Sequence, residues 1–313
     1  MTSASRSGTD EVSQAASEES VMDGQETSGG VAGGWQGDLG RRWSAVVESM
    51  EAQLAPVSAI ALPALDARPG QRIIDLGCGG GTTTEALARA VGQTGRVTAV
   101  DISEELAARA RARVAGMAQA EVIVGDAAVH PFATGAYDAL FSRFGCMFFE
   151  EPVAAFANLR AALKPGGRVV LVAWGARRDN PWGTLPVVAA ETVLGPKENW
   201  PASPETGGPF AWEDPATVHG VLEGAGFDDV VLTPQDVTMS IGQGLAEDPV
   251  AAAVRLSIIV GPVARRMKLI EDATERAGAE AAYAEAVAER FAPLVQGDAV
   301  RLEGRFWLIT ARA

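Results

Sequence analysis

From Arg72 onward the chain alternates short apolar runs with stretches whose apolar positions recur at helical spacing, which predicts βαβ units wound into a parallel sheet. Arg72-Ile73-Ile74-Asp75-Leu76 predicts the first strand. A glycine-rich turn follows, and Thr82-Thr83-Thr84-Glu85 predicts a capping box, with Thr82 at the N-cap, for a helix that ends at Gly92. Arg96 to Asp101, Glu121 to Val124 and Tyr137 to Phe141 predict strands two to four, and Ser103 caps the helix after strand two. A helix from Pro152 stops at Lys164-Pro165-Gly166-Gly167, and Arg168 to Trp174 predicts strand five.

Beyond Gly175 the rhythm breaks. Residues 175–212 scatter Pro, Gly and Trp around one helical stretch, Pro186 to Leu194, and predict an insertion. Asp214-Pro215 and Asp248-Pro249 each supply an N-cap and an N1 proline for a further helix. Val230 to Leu232 predicts a sixth strand and Arg305 to Thr310 a last one. Between them, helical additions over about 245–295 include a long Ala/Glu/Arg helix from Ala264 to Phe291. The expectation is an α/β fold, a Rossmann-like and mostly parallel sheet with helices on both faces, whose ligand-binding core spans about 70–175.

Composition sharpens this in three ways. Residues 1–34 hold Arg6 against six acids, Asp10, Glu11, Glu18, Glu19, Asp23 and Glu26, with no apolar period, and predict a disordered acidic tail ahead of one domain over 35–313. The whole chain carries 26 Lys and Arg against 40 Asp and Glu, a net charge of −14, which argues against nucleic acid or an anionic membrane surface as partner. No apolar stretch reaches the roughly 18 residues of a membrane span, and the two cysteines, Cys78 and Cys146, suit a reducing cytoplasm. His130 and His219 stand apart from each other, so no metal site is expected. The oligomeric state is not encoded in any of this.

The chemistry sits in Asp75-Leu76-Gly77-Cys78-Gly79-Gly80-Gly81, at the carboxyl end of strand one, where open α/β sheets bind ligands. Glycines there allow a tight turn and a close approach of ligand to backbone. Asp101, 20 residues after Gly81 at the end of strand two, can accept the two hydroxyls of a ribose. The dinucleotide spacing GxGxxG would need glycine at Thr82, whereas Gly77, Gly79 and Gly81 fit GxGxG, which argues against a nicotinamide oxidoreductase. With Asp75 in front, this resembles the first motif of class I S-adenosylmethionine-dependent methyltransferases. Val100-Asp101-Ile102-Ser103, Gly125-Asp126-Ala127 and Leu163-Lys164-Pro165-Gly166-Gly167-Arg168 resemble later motifs of that family in order. The resemblance covers about Arg72 to Trp174.

The resemblance implies a seven-stranded sheet with its last strand antiparallel, and S-adenosylmethionine as cofactor with S-adenosylhomocysteine as product. It implies cofactor contacts from Asp75, Gly77, Cys78, Gly79, Gly81, Asp101, Ile102, Asp126, Ala127 and Ser142, with Asp101 on the ribose and Asp126 and the Ala127 amide on the adenine. Ser142-Arg143-Phe144-Gly145-Cys146-Met147-Phe148-Phe149, Asn180-Pro181-Trp182 and Gly208-Pro209-Phe210 look like a bacterial subgroup related to the ubiquinone and menaquinone C-methyltransferases. In that frame Phe144, Met147, Trp43 and Trp182 are candidates for the pocket of a small apolar or aromatic methyl acceptor. Trp35 and Trp43 belong to a segment that folds over the cofactor in similar enzymes or packs as a simple helix. Arg143 reads as an acceptor-orienting charge or as a surface cation paired with Glu150 or Glu151. Arg265, Arg266 and Lys268 read as a solvated helix face, and His219 as structural. No residue declares itself as a general base, and a non-catalytic S-adenosylmethionine sensor or scaffold would carry the same motifs.

Overall fold

The computed structural model describes residues 31–196, 207–261, 263–267 and 269–313. Most of the expected tail, with Trp200 and Lys268, lies outside the described residues, but Val31–Gln36 already forms a short helix, α1, so the described fold begins before residue 35. Strands β1 (Arg72–Leu76), β2 (Arg96–Asp101), β3 (Ala120–Val124), β4 (Tyr137–Arg143) and β5 (Leu163–Trp174) pair in parallel. Their order, with β6 (Asp228–Ile241) and β8 (Ala299–Arg312), is β3-β2-β1-β4-β5-β8-β6. β8 runs antiparallel between β5 and β6, and a two-residue β7 (Val295–Gln296) pairs with β8 beside this seven-strand path. The order reverses at β1 and β4, which opens a crevice at their carboxyl ends.

The first half follows the apolar pattern closely, because β1, β2 and β4 are buried on both faces and read as continuous hydrophobic runs. Helix α4 (Thr82–Val91) departs from its expected start. Its N-cap is Gly81 at φ +83°, Thr82 is already helical, and Glu85 pairs with Arg89 in place of a capping box. Helix α5 (Glu104–Arg113) is capped by the Ser103 side chain, and α6 (Pro152–Ala162) starts on its N1 proline.

The second half differs more. β6 spans 14 residues where three were expected: Pro234, Gln235 and Asp236 interrupt its apolar positions, and β8 supplies a partner from Val300 to Arg312. The insertion helix α7 starts at Pro181 and ends at Leu194. The caps on α8 (Pro215–Gly224) and α9 (Pro249–Val260) are as expected, through Asp214 and Asp248. The long helix expected over 264–291 is two, α10 (Ala264–Met267) and α11 (Ala273–Phe291), because Asp272 accepts the Glu275 amide and starts a new helix. α7 and α9 pack against α11 as a cap over the β5, β8 and β6 side. Among the described residues no single helix is long and apolar enough to cross a membrane.

Two N-terminal helices complete the body. α3 (Val47–Leu65) is a core helix against β4, β5 and β6. α2 (Asp38–Ala45) lies across α5 and α9, tied by Arg109 to the Ser44 hydroxyl at 2.8 Å and by Arg42 to the Ile259 carbonyl at 2.8 Å.

Candidate active site

Leaving β1, the chain turns through Gly77, Gly79 and Gly81, all at positive φ (+64°, +54° and +83°), which only glycine adopts without strain. The three differ in what surrounds them. A Cβ on Gly77 would stand 2.7 Å from the Gly145 Cα and one on Gly81 2.7 Å from the Ala110 Cα, whereas one on Gly79 would meet nothing within 4 Å. Gly77 and Gly81 are therefore required by packing, and Gly79 borders open space. The Gly77 and Cys78 amides donate to the Val100 carbonyl at 2.9 and 3.2 Å, which seats the loop between β1 and β2.

Two buried carboxylates frame this loop. Asp75 Oδ2 accepts the Thr83 and Thr84 hydroxyls at 2.9 and 2.7 Å, while Oδ1 is buried with no partner. Burial pushes its carboxyl up to about 6, against the two hydroxyls and the Arg143 charge. Asp101 accepts the Gly79 amide on Oδ2 at 2.8 Å and the Ser103 amide on Oδ1 at 2.9 Å, and burial still raises its carboxyl above the ordinary range. Each oxygen keeps a further lone pair for a hydroxyl. An orphaned carboxylate oxygen, two spare acceptors and a glycine without an obstacle form a cradle with acceptors left open to a cation and to hydroxyl donors, a donor set that fits the ammonium and ribose of S-adenosylmethionine. Cys78 is buried, and burial with the Asp101 and Asp75 charges pushes its thiol up, away from the thiolate form.

Past β2, Ile102 is half-buried; past β3, Asp126 is half-buried and Ala127 buried, and Asp126 Oδ1 accepts the Ala128 amide at 2.8 Å. The crevice thus gathers Asp75, the glycines, Asp101, Ile102, Asp126 and Ala127 at the carboxyl ends of β1, β2 and β3.

On the other wall, Ser142 donates to the Leu76 carbonyl at 2.9 Å. Phe144 comes next at φ +66° and stacks on Trp174 at 4.0 Å. The row continues through Trp182, 4.7 Å from Trp174 and 5.3 Å from Phe210, and ends with the Arg177 guanidinium 4.5 Å over Phe210. Met147 turns away from this row: it is buried and its sulfur accepts the Trp174 amide at 3.4 Å. Phe148 instead meets Trp35 edge-on at 5.2 Å, and Trp35 meets Trp43 at 5.4 Å. α1 and α2 therefore bridge from Ser103, against which Gly40 is pressed, to Phe148.

Arg143 pairs with neither Glu150 nor Glu151. Its partner is Glu51 of α3, at 2.8 and 2.6 Å, with Ser58 at 2.7 Å, and both charged side chains are buried. His219 lies on the outer face of α8, paired with Glu223 at 2.9 Å, and His130 packs on Phe132 at 4.5 Å. Of the basic cluster, the side chain of Arg265 is outside the described residues and Arg266 is half-buried. Among the described residues no three His, Cys, Asp or Glu side chains gather as metal ligands.

Sequence reasoning missed three residues. Glu51 sits 92 positions from Arg143; Gly145 presses on Gly77; and Asn180, fully buried, donates to the Gly175, Ala176 and Arg305 carbonyls and accepts from Trp182 and Arg305. The glycine after a Ser-Arg-aromatic strand end and the Asn-Pro-Trp run were the available signals. A cavity of about 580 Å³ lies apart from the crevice, lined by Arg177, Glu213, Pro234, Arg305 and Trp307.

Residues 73–167 match the family described as a methyltransferase domain. Over 112 residues the chain is 40% identical to an uncharacterized 37.1 kDa protein of a Streptomyces fradiae transposon, covering 36% of this chain and 32% of that one. Over 103 residues it is 36% identical to demethylmenaquinone methyltransferase of Staphylococcus aureus, covering 33% of this chain and 43% of the enzyme. The matches thus span a third to under half of these relatives. Among solved structures, a Bacillus halodurans protein described as a methyltransferase superposes at TM-score 0.51 with 20% identity, covering 81% of this chain and 97% of that one. The [4+2]-cyclase SpnF superposes at TM-score 0.51 with 18% identity over 91% of this chain and 97% of its own. These likenesses establish the fold, and the cyclase shows that the fold alone does not fix a reaction.

Proposed function

We propose a reaction for what is, by its matched domain and its fold, a class I S-adenosylmethionine-dependent methyltransferase related to the quinone methyltransferases: methyl transfer to a small apolar or aromatic acceptor, with release of S-adenosylhomocysteine. The observation that carries it is the cradle made by the open side of Gly79, the unpartnered Asp75 Oδ1 and the spare acceptors of Asp101. In this reading Asp75 faces the cofactor's ammonium, Asp101 takes the ribose hydroxyls, and Asp126 with the Ala127 amide takes the adenine. Gly77, Cys78, Gly81, Ile102 and Ser142 shape the backbone around it.

Bound S-adenosylmethionine supplies an already activated methyl on a sulfonium. What the chain adds is placement and exclusion of water. Phe144 and Trp182, with Trp35, Trp43 and Phe148, give an aromatic wall on the acceptor side, which suits a flat apolar acceptor. Met147 backs that wall from the core. The two buried free thiols and the acidic surface fit a cytoplasmic enzyme that acts on small molecules.

Calorimetry with S-adenosylmethionine, S-adenosylhomocysteine and NADH tests the cofactor half, and binding of the first two alone is expected. Release of S-adenosylhomocysteine across a panel of quinols, phenols and amines tests the reaction. Tight NADH binding overturns the reading, and cofactor binding with no release on any acceptor would make the chain a sensor.

A further inference from the structure

The Glu51–Arg143 pair is the ion pair with both side chains most buried among the described residues, at 10% and 7% exposure. Arg143 Nη2 donates to both Glu51 oxygens, at 2.8 and 2.6 Å, and Nη1 donates to the Ser58 hydroxyl at 2.7 Å, which passes its own proton toward the Leu54 carbonyl. Burying two charges is costly, and an apolar pair of similar volume would stabilise a fold at least as well. The pair therefore calls for a role that apolar packing cannot fill. Residue 143 ends β4 with its backbone in register with Val172 of β5, and the directional hydrogen bonds of its side chain add a set distance from that strand end to α3, which an apolar contact would not define.

The segment after residue 143 needs that fixing. Phe144 is at φ +66°, a left-handed conformation that L-residues other than Asn and Asp seldom adopt unless their surroundings impose it. Its amide is held by the Val172 carbonyl at 3.0 Å and its ring lies on Trp174. One residue on, a Cβ at Gly145 would stand 2.8 Å from both the Gly77 Cα and the Leu76 carbonyl, so this segment touches the cofactor loop backbone to backbone. Arg143 itself is spent on α3 and is shielded from a ligand. The charges of Arg143 and Glu51 are also felt at Asp75, in opposite directions.

We propose that Glu51 and Arg143 are a positioning pair: anchored by Ser58, they lock the turn after β4 so that Phe144 presents one fixed face to the acceptor while Gly145 stays seated on Gly77. This rests on the methyl-transfer reading and adds that the geometry of its acceptor wall is set from the N-terminal helix α3. The pair acts through Phe144 and makes no contact with acceptor or cofactor.

The test compares the full-length chain with Glu51→Gln, Glu51→Asp and the apolar double variant Glu51→Leu/Arg143→Met. Glu48→Gln, which removes the exposed partner of Arg113, is the control. Amide hydrogen exchange is followed over 142–149, and acceptor KM and kcat are taken with the best substrate of the quinol and phenol panel. Glu51→Gln is expected to speed exchange at 144–148 about tenfold or more. β1 and β2 should stay protected, acceptor KM should rise about tenfold, and kcat should move much less. Glu51→Asp should recover part of both, and the double variant should regain thermal stability without regaining slow exchange or low KM. Unchanged exchange at 144–148, a loss spread evenly over the sheet, or full recovery in the double variant overturns the proposal. If the wild type binds no S-adenosylhomocysteine and turns over nothing, the methyl-transfer reading fails, and the exchange comparison still decides whether the pair locks this turn.

Discussion

The sheet from β3 to β4 and the sheet from β5 to β6 are held in shape by different interactions. On the first side the determinants are backbone approach and carboxylates: Gly77 against Gly145, Gly81 against Ala110, and Asp101 on two amides. On the second side they are long antiparallel strands, a row of rings in contact from Phe144 to Phe210, and one buried amide, Asn180, that ties α7 to β8. Polar groups with fixed directions specify a ligand atom by atom, whereas apolar packing specifies only volume and flatness. In the proposed reading the cofactor half is therefore specified group by group, and the acceptor half only by class.

The substitutions that test this contrast run from both halves at once to one half alone. Gly145→Ala should do most, since its Cβ strikes two backbone atoms across the join; a loss of about 2–4 kcal/mol in urea unfolding is expected, with cofactor and acceptor binding both impaired. Asp101→Ala confines the damage to the first side: cofactor affinity by calorimetry should fall about 100-fold, and the fold should remain. An equal fall in Trp182→Ala would erase the distinction.

Asp75 gives a graded test with a definite sign. Its folded-state carboxyl lies at about 6, above the ordinary 3.8, so its contribution to stability is complete below pH 4 and is lost as the pH rises through 6. Asp75→Asn removes that dependence. The variant protein without cofactor should show a flatter stability profile from pH 4 to 6, while cofactor binding weakens. Urea midpoints against pH check this, and a variant that keeps the wild-type slope between pH 4 and 6 refutes the assignment. Smallest is Trp182→Ala, which should raise acceptor KM about tenfold and leave cofactor affinity within about twofold.

The same contrast explains how much was legible in the chain before the structure. β1 to β5, the glycine loop, Asp101 and the caps at Ser103, Asp214 and Asp248 follow from local rules, since each residue acts within a few positions of itself. Thr82 misled because a preceding glycine at positive φ took the cap position. The length of β6 was hidden because Pro234, Gln235 and Asp236 interrupt its apolar positions and its partner lies far along the chain. Arg143 was matched to the nearest acids, while its partner came from a helix 92 residues earlier. Contacts between distant segments leave no period or spacing to read, and the acceptor side is built mostly of such contacts.

The join between Gly77 and Gly145 also sets a rule for redesign. Any new sequence grafted after β4 to take a different acceptor must keep glycine at its junction with the cofactor loop, because two backbones in contact leave no side chain to trim on either partner. In the proposed reading, the loop assigned to the cofactor and the segment assigned to the acceptor are thus not independent modules. A library that diversifies 143–149 should hold residue 145 constant, and one that diversifies 77–81 should hold residue 77.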